Sequence, residues 1–485
     1  MRREFLLNIA FLIGINLVIK PFYTFFIETE VQNAVGPEEF GLYFSVFNLS
    51  YIFQIFLDLG IHNYGSQYLP KHPETRDHYL STALFTKALL VVLFAMMIVI
   101  IGVLLGYDDR LRGLLYLVST NQVLIALIFF CRSSLAALGH YRSNSLISVL
   151  DKVFMISALG YALFWNESLM LSFDVYDFIG IRMGSYALTT GIAGLMLWGV
   201  GRFRTLIKVK WSEILQLLRA SLPFAILVVF MGICNRTDAV MLERLLDDGG
   251  LQSGIYAAAY RIYYAMSTLG FLFSMLLLPM FSSLLGKDNA ELNQLADLSL
   301  RTILMLSIGA TGVLFVIDDE VMSLLYRSDA GLYGTEILTI LSITMVLTCV
   351  IYVLGTLLTA SARLKQLNYV FVIATFVNIG VNIYLIPSIG ALGAAWATML
   401  TEILVVTAQY IICIRLTPLR LTRQSLIAIG LYTMSTVIAC YLIDAVLNPS
   451  WPIRMMTMMS ITVFVALGSR MLRPYELLRM VKPRD

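Results

Sequence analysis

The residues of this chain that could do chemistry are charges standing inside long apolar runs. Lys20, Lys87, Arg132, Lys152, Arg182, Arg236 and Arg261 are the cations, and Asp58, Asp151, Asp238 and Glu402 the carboxylates. An ionisable group at membrane depth costs several kcal/mol unless it is paired or wetted, so each one points to a substrate or ion path. At about 1.5 Å per helical residue they fall into two layers. An outer layer holds Lys20, Arg236, Asp238 and Arg261, with Arg182 near the outer end of its run. An inner layer holds Asp58, Lys87, Arg132, Asp151 and Lys152, and Glu402 stands near the middle. Arg236 and Asp238 are two residues apart, on nearly opposite faces of a helix, so they cannot neutralise one another. Arg236 therefore needs a partner on another helix, water or an anionic ligand. The chemistry offered is anion binding: Lys20, Arg236 and Arg261, with Asp238 as partner, form the candidate substrate site. Asp58, Arg132, Asp151 and Glu402 are candidates for gating or for proton or sodium coupling. Lys87, Lys152 and Arg182 read as structural pairs or snorkelling side chains that position helices. There is no phosphate-cradling glycine loop with Lys, no Ser/His/Asp set at one depth and no metal-ligand spacing, so neither catalysis, a metal nor a cofactor is expected. His62, His72, His78 and His140 read as interfacial.

The elements that must hold these charges follow from composition. The chain has 485 residues, of which 59% are hydrophobic and 13% charged, against roughly 25% charged in a soluble domain. That excludes a nucleic-acid binder, a secreted disulfide scaffold and a cytosolic enzyme. A membrane β-barrel would show alternating segments of about ten residues, whereas here the apolar runs are about 20 residues long, the length of a membrane-crossing helix. The fold class is all-α and polytopic, with about fourteen spans: 5–27, 40–61, 80–105, 113–137, 145–165, 177–200, 220–244, 254–284, 299–317, 334–359, 368–387, 391–414, 425–446 and 453–471. The eighth is too long to stand upright, so it tilts, kinks at Pro279 or runs on into the interface. All five cysteines fall inside these runs and read as small core residues. Lys and Arg crowd the loops on one side, and Glu28, Glu30, Glu38, Glu39, Asp108, Asp109, Asp247, Asp248 and Asp318 to Glu320 mark the other. The positive-inside rule makes the basic side cytoplasmic, with both termini there, and Met1-Arg2-Arg3 begins a retained first helix rather than a removed signal peptide.

Residues 201–219 join the sixth and seventh spans. Basic residues beside Trp211 and an aliphatic face predict an interfacial helix there. Gly41-Leu42-Tyr43 after the first span is echoed by Gly254-Ile255-Tyr256 after the seventh, which suggests two halves of six spans running in the same direction.

Several of these stretches resemble a known family. Gly36-x-x-Glu39-Phe40-Gly41-Leu42-Tyr43, Leu57-Asp58-Leu59-Gly60-Ile61 and Tyr256-Ala257-Ala258-Ala259-Tyr260-Arg261 are similar to the bacterial polysaccharide transporter family. So is Asn378-x-x-x-Asn382-x-x-x-Ile386-Pro387-x-x-Gly390-Ala391-Leu392-Gly393-Ala394-Ala395-Trp396-Ala397-Thr398, followed by Glu402. These are the Wzx-type oligosaccharide-lipid flippases, related to the multidrug and toxin extrusion transporters. The resemblance implies an N-lobe (1–200), a linker (201–219), a C-lobe (220–414) and two further helices with a basic tail (415–485), the lobes flanking a central cavity and rocking for alternating access. It implies a bacterial plasma-membrane protein that carries oligosaccharide on undecaprenyl pyrophosphate to the outer leaflet for O-antigen, capsule or exopolysaccharide assembly. The partners it implies are membrane lipid, a polysaccharide polymerase and chain-length machinery. Cations suit such cargo, because a diphosphate drawn into low dielectric needs positive partners. An ion-coupled drug or metabolite exporter of the same superfamily is the alternative, against which the net basic outer layer argues. A membrane glycosyltransferase or polymerase would need a large catalytic loop, and none is present.

Overall fold

Hydrophobic runs of this length can satisfy their backbone polar groups in a bilayer only as helices, and helices are what form. The computed structural model describes residues 14, 16, 18–69, 72–201, 209–327, 330–446, 450–469 and 471, and among them there is no strand. Ten helices among the described residues are long and apolar enough to cross a membrane. The chain divides into two compact units, Met1–Gly254 and Ile255–Asp485.

In the first unit, helical residues 18–22 pass through a π turn at Tyr23–Ile27 into α1 (Glu28–Val35). Gly36, at φ 86°, stops that helix and Pro37 starts α2 (Pro37–Phe53). A 3-10 turn at Gln54–Leu57 and a break at Asp58-Leu59-Gly60 lead to the short α3 (Ile61–Tyr68). Then come α4 (Arg76–Leu104), α5 (Asp109–Ala137), α6 (Tyr141–Phe164), the short α7 (Glu167–Ser172), α8 (Val175–Gly201) and α9 (Trp211–Leu245). α5 is central: α2, α3, α6 and α8 all lie against it, and α9 packs on α2. Trp211 to Arg219, expected as an interfacial helix, are instead the first turns of α9, and residues 202–208 lie outside the described residues. α9, expected to open the second lobe, folds within the first unit.

α10 (Gly249–Leu284) begins in the first unit and continues into the second, where α11 (Asn289–Leu325), α12 (Ala330–Ala360), α13 (Leu364–Leu416), α14 (Arg423–Val446) and α15 (Trp451–Gly468) follow. α10 runs as one helix through Pro279 for 36 residues, about 54 Å, which accounts for the length of the eighth span. α13 is two spans joined by a break at Ile389–Gly390, where Gly390 takes φ 58° and ψ −137°. A Cβ on Gly393 would come 2.6 Å from the Leu385 carbonyl oxygen, so this turn needs glycine at both places. α12 is sandwiched between α11 and α13, while α14 and α15 pack on α11. Val316 and Ile317 of α11 meet Ala439, Cys440 and Ile443 of α14 and Met458 of α15 in one buried cluster. Thirteen of the expected spans coincide with helical segments, and the first, 5–27, is helical over its described part, with residues 5–13, 15 and 17 outside the described residues.

Candidate functional site

The first helix sets the level of the site. It was expected to end near residue 27 because Glu28 and Glu30 look like a loop, but only Gly36-Pro37 stops it. Lys20 therefore sits fifteen residues, about 22 Å, before Val35, and belongs to the middle of the bundle rather than to an outer layer. Its neighbouring charges are Arg132, Lys152 and Asp151. Lys20 is exposed, and Arg132 donates from Nε to the Asn144 Oδ1 at 3.1 Å. Lys152 Nζ is 3.4 Å from the Asp151 carboxylate and 4.5 Å from the centre of the Tyr23 ring. It also faces the Tyr186 ring at 5.6 Å.

Tyr186 leads on to Arg182. The two are four residues apart on α8, so they share a face, and Arg182 Nη2 donates to the Tyr186 hydroxyl at 3.0 Å. Arg182 Nη1 donates to the Tyr43 hydroxyl. The guanidinium is boxed by the Tyr43, Phe47, Phe178 and Tyr186 rings, at 5.3 to 5.7 Å. Its nearest carboxylate, Glu28 Oε1, is 3.8 Å away, and Nε has no hydrogen-bond partner among the described residues. Four cations from α5, α6, α8 and the first helix thus follow one another through the unit: Arg132, Lys20, Lys152 and Arg182. The carboxylates among them are Asp151 and Glu28. Lys152 and Arg182 had read as helix-positioning side chains. The signal that could have found them is the Tyr and Phe spacing: Tyr43 and Phe47 on one helix, and Phe178, Arg182 and Tyr186 on another, all at four-residue intervals.

The remaining candidates sort differently. Arg236 lies against α2, donating to the Asn48 Oδ1 at 3.1 Å with its guanidinium 4.5 Å from the centre of the Tyr51 ring. Asp238 is buried beside it in sequence on α9. Asp58 occupies the break after α2 and is 2.6 Å from Lys87 Nζ, which also donates to the Leu57 carbonyl at 3.1 Å. Lys87 is 2% exposed. It thereby caps backbone that the left-handed Leu59 and Gly60 leave unpaired. Arg261 and Glu402 belong to the second unit. Arg261 Nη1 donates to the Tyr326 hydroxyl at 2.5 Å, and Tyr326 in turn donates to the Ala258 carbonyl. Glu402 is buried near Tyr263, Cys349 and Tyr352. Two further pairs form here: Asp297 and Arg301, unremarked in the sequence, at 3.0 Å on α11, and Glu320 of the acidic side with Arg454.

The acidic loop end of the first unit is tightly closed on itself. A Cβ on Gly41 would lie 1.9 Å from the Gly250 carbonyl oxygen, and one on Gly254 would lie 1.8 Å from that of Pro37. α2 and the first turn of α10 therefore cross backbone to backbone, and Gln32 Nε2 donates to the Gly254 carbonyl at 3.0 Å. The two echoing Gly-aliphatic-Tyr stretches thus meet through their glycines. Between α4 and α5, the Tyr107 hydroxyl donates to Glu243 Oε2 at 3.1 Å. Burial, with that carboxylate beside it, pushes the Tyr107 phenol well above its ordinary value, so it remains a donor.

Comparison with known proteins bears on what such a frame is for. A family model described as polysaccharide biosynthesis protein matches residues 5–285. The uncharacterized membrane protein MJ1375 of Methanocaldococcus jannaschii is 25% identical over 381 residues, covering 76% of this chain and 88% of its own. Among solved structures, the lipid II flippase MurJ in an inward closed conformation superposes with a TM-score of 0.72 at 15% identity, covering 94% of this chain and 99% of that one. An inward-facing multidrug resistance MATE transporter of the MOP superfamily gives a TM-score of 0.67 at 15% identity, covering 81% and 94%. At such identities the likeness is one of fold.

Proposed function

The chain belongs to the polysaccharide biosynthesis protein family, and from that premise we propose that it is a flippase for lipid-linked oligosaccharide. The cargo is an oligosaccharide on undecaprenyl pyrophosphate, moved from the cytoplasmic to the outer leaflet of a bacterial plasma membrane for surface polysaccharide assembly. In this reading the Lys- and Arg-rich loops and both termini are cytoplasmic. The observation that carries the proposal is the run of Arg132, Lys20, Lys152 and Arg182 through the first unit, answered by Asp151 and Glu28. A cation ladder suits a diphosphate and repels the cationic drugs that an exporter of the same fold would carry. Arg supplies planar, bidentate donors to phosphate, and Lys supplies compact charge. The prenyl tail stays in lipid while the headgroup climbs. Arg236, set on Tyr51 with Asp238 beside it in sequence, is a further anion station of the first unit, and Arg261, set on Tyr326, is the candidate station of the second. Glu402, buried at mid-helix, is the place for proton or sodium coupling, and Asp58, Arg132 and Asp151 stand at the inner mouth.

The test is made in the native host. Lys20→Gln combined with Arg132→Gln is expected to abolish surface polysaccharide and to leave lipid-linked oligosaccharide on the cytoplasmic leaflet, at unchanged protein level by immunoblot. Arg236→Ala and Arg261→Ala are expected to act in the same direction. Normal surface polysaccharide in the double variant, or a drug-resistance phenotype on overexpression, would overturn the proposal.

A further inference from the structure

Arg182 is an arginine whose hydrogen bonds the protein does not complete. It is 6% exposed. A guanidinium carries five N–H donors, and its partners are two phenol hydroxyls and a carboxylate 3.8 Å away, beyond hydrogen-bond reach. Nε meets no acceptor among the described residues. A buried cation left in this state costs free energy that a closer anion would recover.

The side chain placed to make that contact is held back. Glu28 follows directly on the π turn Tyr23–Ile27, and its side chain is 21% exposed. π turns are uncommon and concentrate where a helix changes register at functional sites. The turn is held at both flanks by the same cluster: Tyr23 lies under Lys152, and Glu28 faces Arg182. Tyr186 lies between the two cations, its ring facing Lys152 and its hydroxyl taking a bond from Arg182. Lys152, at 18% exposure, is the open side of the pair.

We propose that Arg182 and Lys152 form a phosphate-class anion site in which Glu28 is a resident competitor. A tetrahedral oxyanion arriving at Lys152 displaces the Glu28 carboxylate from beside Nη1, takes the open Nε donor of Arg182, and frees the residue at the end of the π turn. Gln32, one turn further along the same helix, holds the Gly254 carbonyl at the closed loop end. Occupation of the site is thereby transmitted to that contact. The proposal rests on the diphosphate cargo argued above and goes further in naming a competitor and its release.

The experiment measures binding, not transport, on the full chain in lipid nanodiscs. Inorganic pyrophosphate and farnesyl diphosphate are titrated separately by calorimetry, with size-exclusion and thermal melting as checks on folding. Glu28→Gln is the decisive variant, because it removes the competitor and keeps the shape. It is expected to tighten both ligands by roughly threefold to tenfold, while Arg182→Gln weakens them by about tenfold or more, the loss of one charge-assisted bond. Tightening of both equally assigns the site to the diphosphate alone, and tightening of the farnesyl form only assigns it to a lipid headgroup. Unchanged or weaker binding of both ligands in Glu28→Gln overturns the proposal and leaves Glu28 and Arg182 as a structural pair. Diphosphate binding that behaves as expected, in a chain that fails to support surface polysaccharide, would overturn the flippase reading instead and leave the anion site standing.

Discussion

Replacing Asp58 with Asn tests whether the break after α2 is held by charge. Lys87 is 2% exposed, with Nζ 2.6 Å from Asp58 Oδ1, 3.1 Å from the Leu57 carbonyl oxygen and 5.6 Å from the Phe130 ring centre. Asp58 Oδ2 accepts the His62 amide at 3.1 Å. Asn keeps the shape and an acceptor for that amide, but strands a buried ammonium. Breaking a buried pair by removing one partner costs about 3–5 kcal/mol. The low end applies here, because Lys87 retains the Leu57 carbonyl and Asp58 is 25% exposed. At roughly 2 °C per kcal/mol for a unit of this size, a loss of about 3 kcal/mol lowers the unfolding midpoint by about 6 °C. Adding Lys87→Met removes the stranded charge at similar volume and should recover most of the loss. The assay is thermal unfolding of the purified protein in detergent, followed by intrinsic fluorescence. A midpoint for Asp58→Asn within about 1 °C of the parent, or a double variant no better than the single, would refute the reasoning.

Three further outcomes are expected. Gly41→Ala and Gly254→Ala should each destabilise by about 1–3 kcal/mol, since the new Cβ meets a carbonyl oxygen head-on. Gly180→Ala on α8, with open space around it, should not destabilise, and equal melting of all three would contradict the crossing. Gly390→Ala should cost about 1–3 kcal/mol for the backbone it must adopt, whereas Gly430→Ala inside α14 should be neutral or stabilising; the same melts compare them. Arg301→Leu should cost about 3 kcal/mol, because Asp297 keeps the Ser425 hydroxyl at 2.9 Å but loses its counter-charge. The addition of Asp297→Leu should then return stability toward the parent, and no recovery would argue against a buried pair.

Span positions were legible in the sequence because a bilayer imposes length and apolarity on every helix, so hydropathy alone locates α4, α12 and the two halves of α13. The Pro387–Gly393 stretch was legible as a motif, and its physical content is the turn that lets α13 fold back. The first helix was misjudged because Glu28 and Glu30 look solvated, whereas Glu28 faces Arg182 inside the unit. Lys20 was therefore placed one layer too far out. The Trp211 segment carried a true amphipathic signal but continues into α9 without a stop. Which cation meets which ring is set by helix rotation and crossing, and neither is written in one helix's own sequence. Arg182 gained its importance only when α2 brought Tyr43 and Phe47 to it.

The Asp297–Arg301 pair bears on the order in which the protein is made. Ser425, which donates a second hydrogen bond to the Asp297 Oδ2 that Arg301 also meets, lies more than 120 residues downstream. At roughly 5–20 residues per second, a ribosome delivers it some 6–25 s after the pair itself has emerged. During that interval the charges must be tolerated by translocon or lipid without α14 to cover them. Placing the acid and the base one turn apart on the same helix lets the nascent segment neutralise itself at once. α14 can then dock late, as a lid over a pair that was already closed.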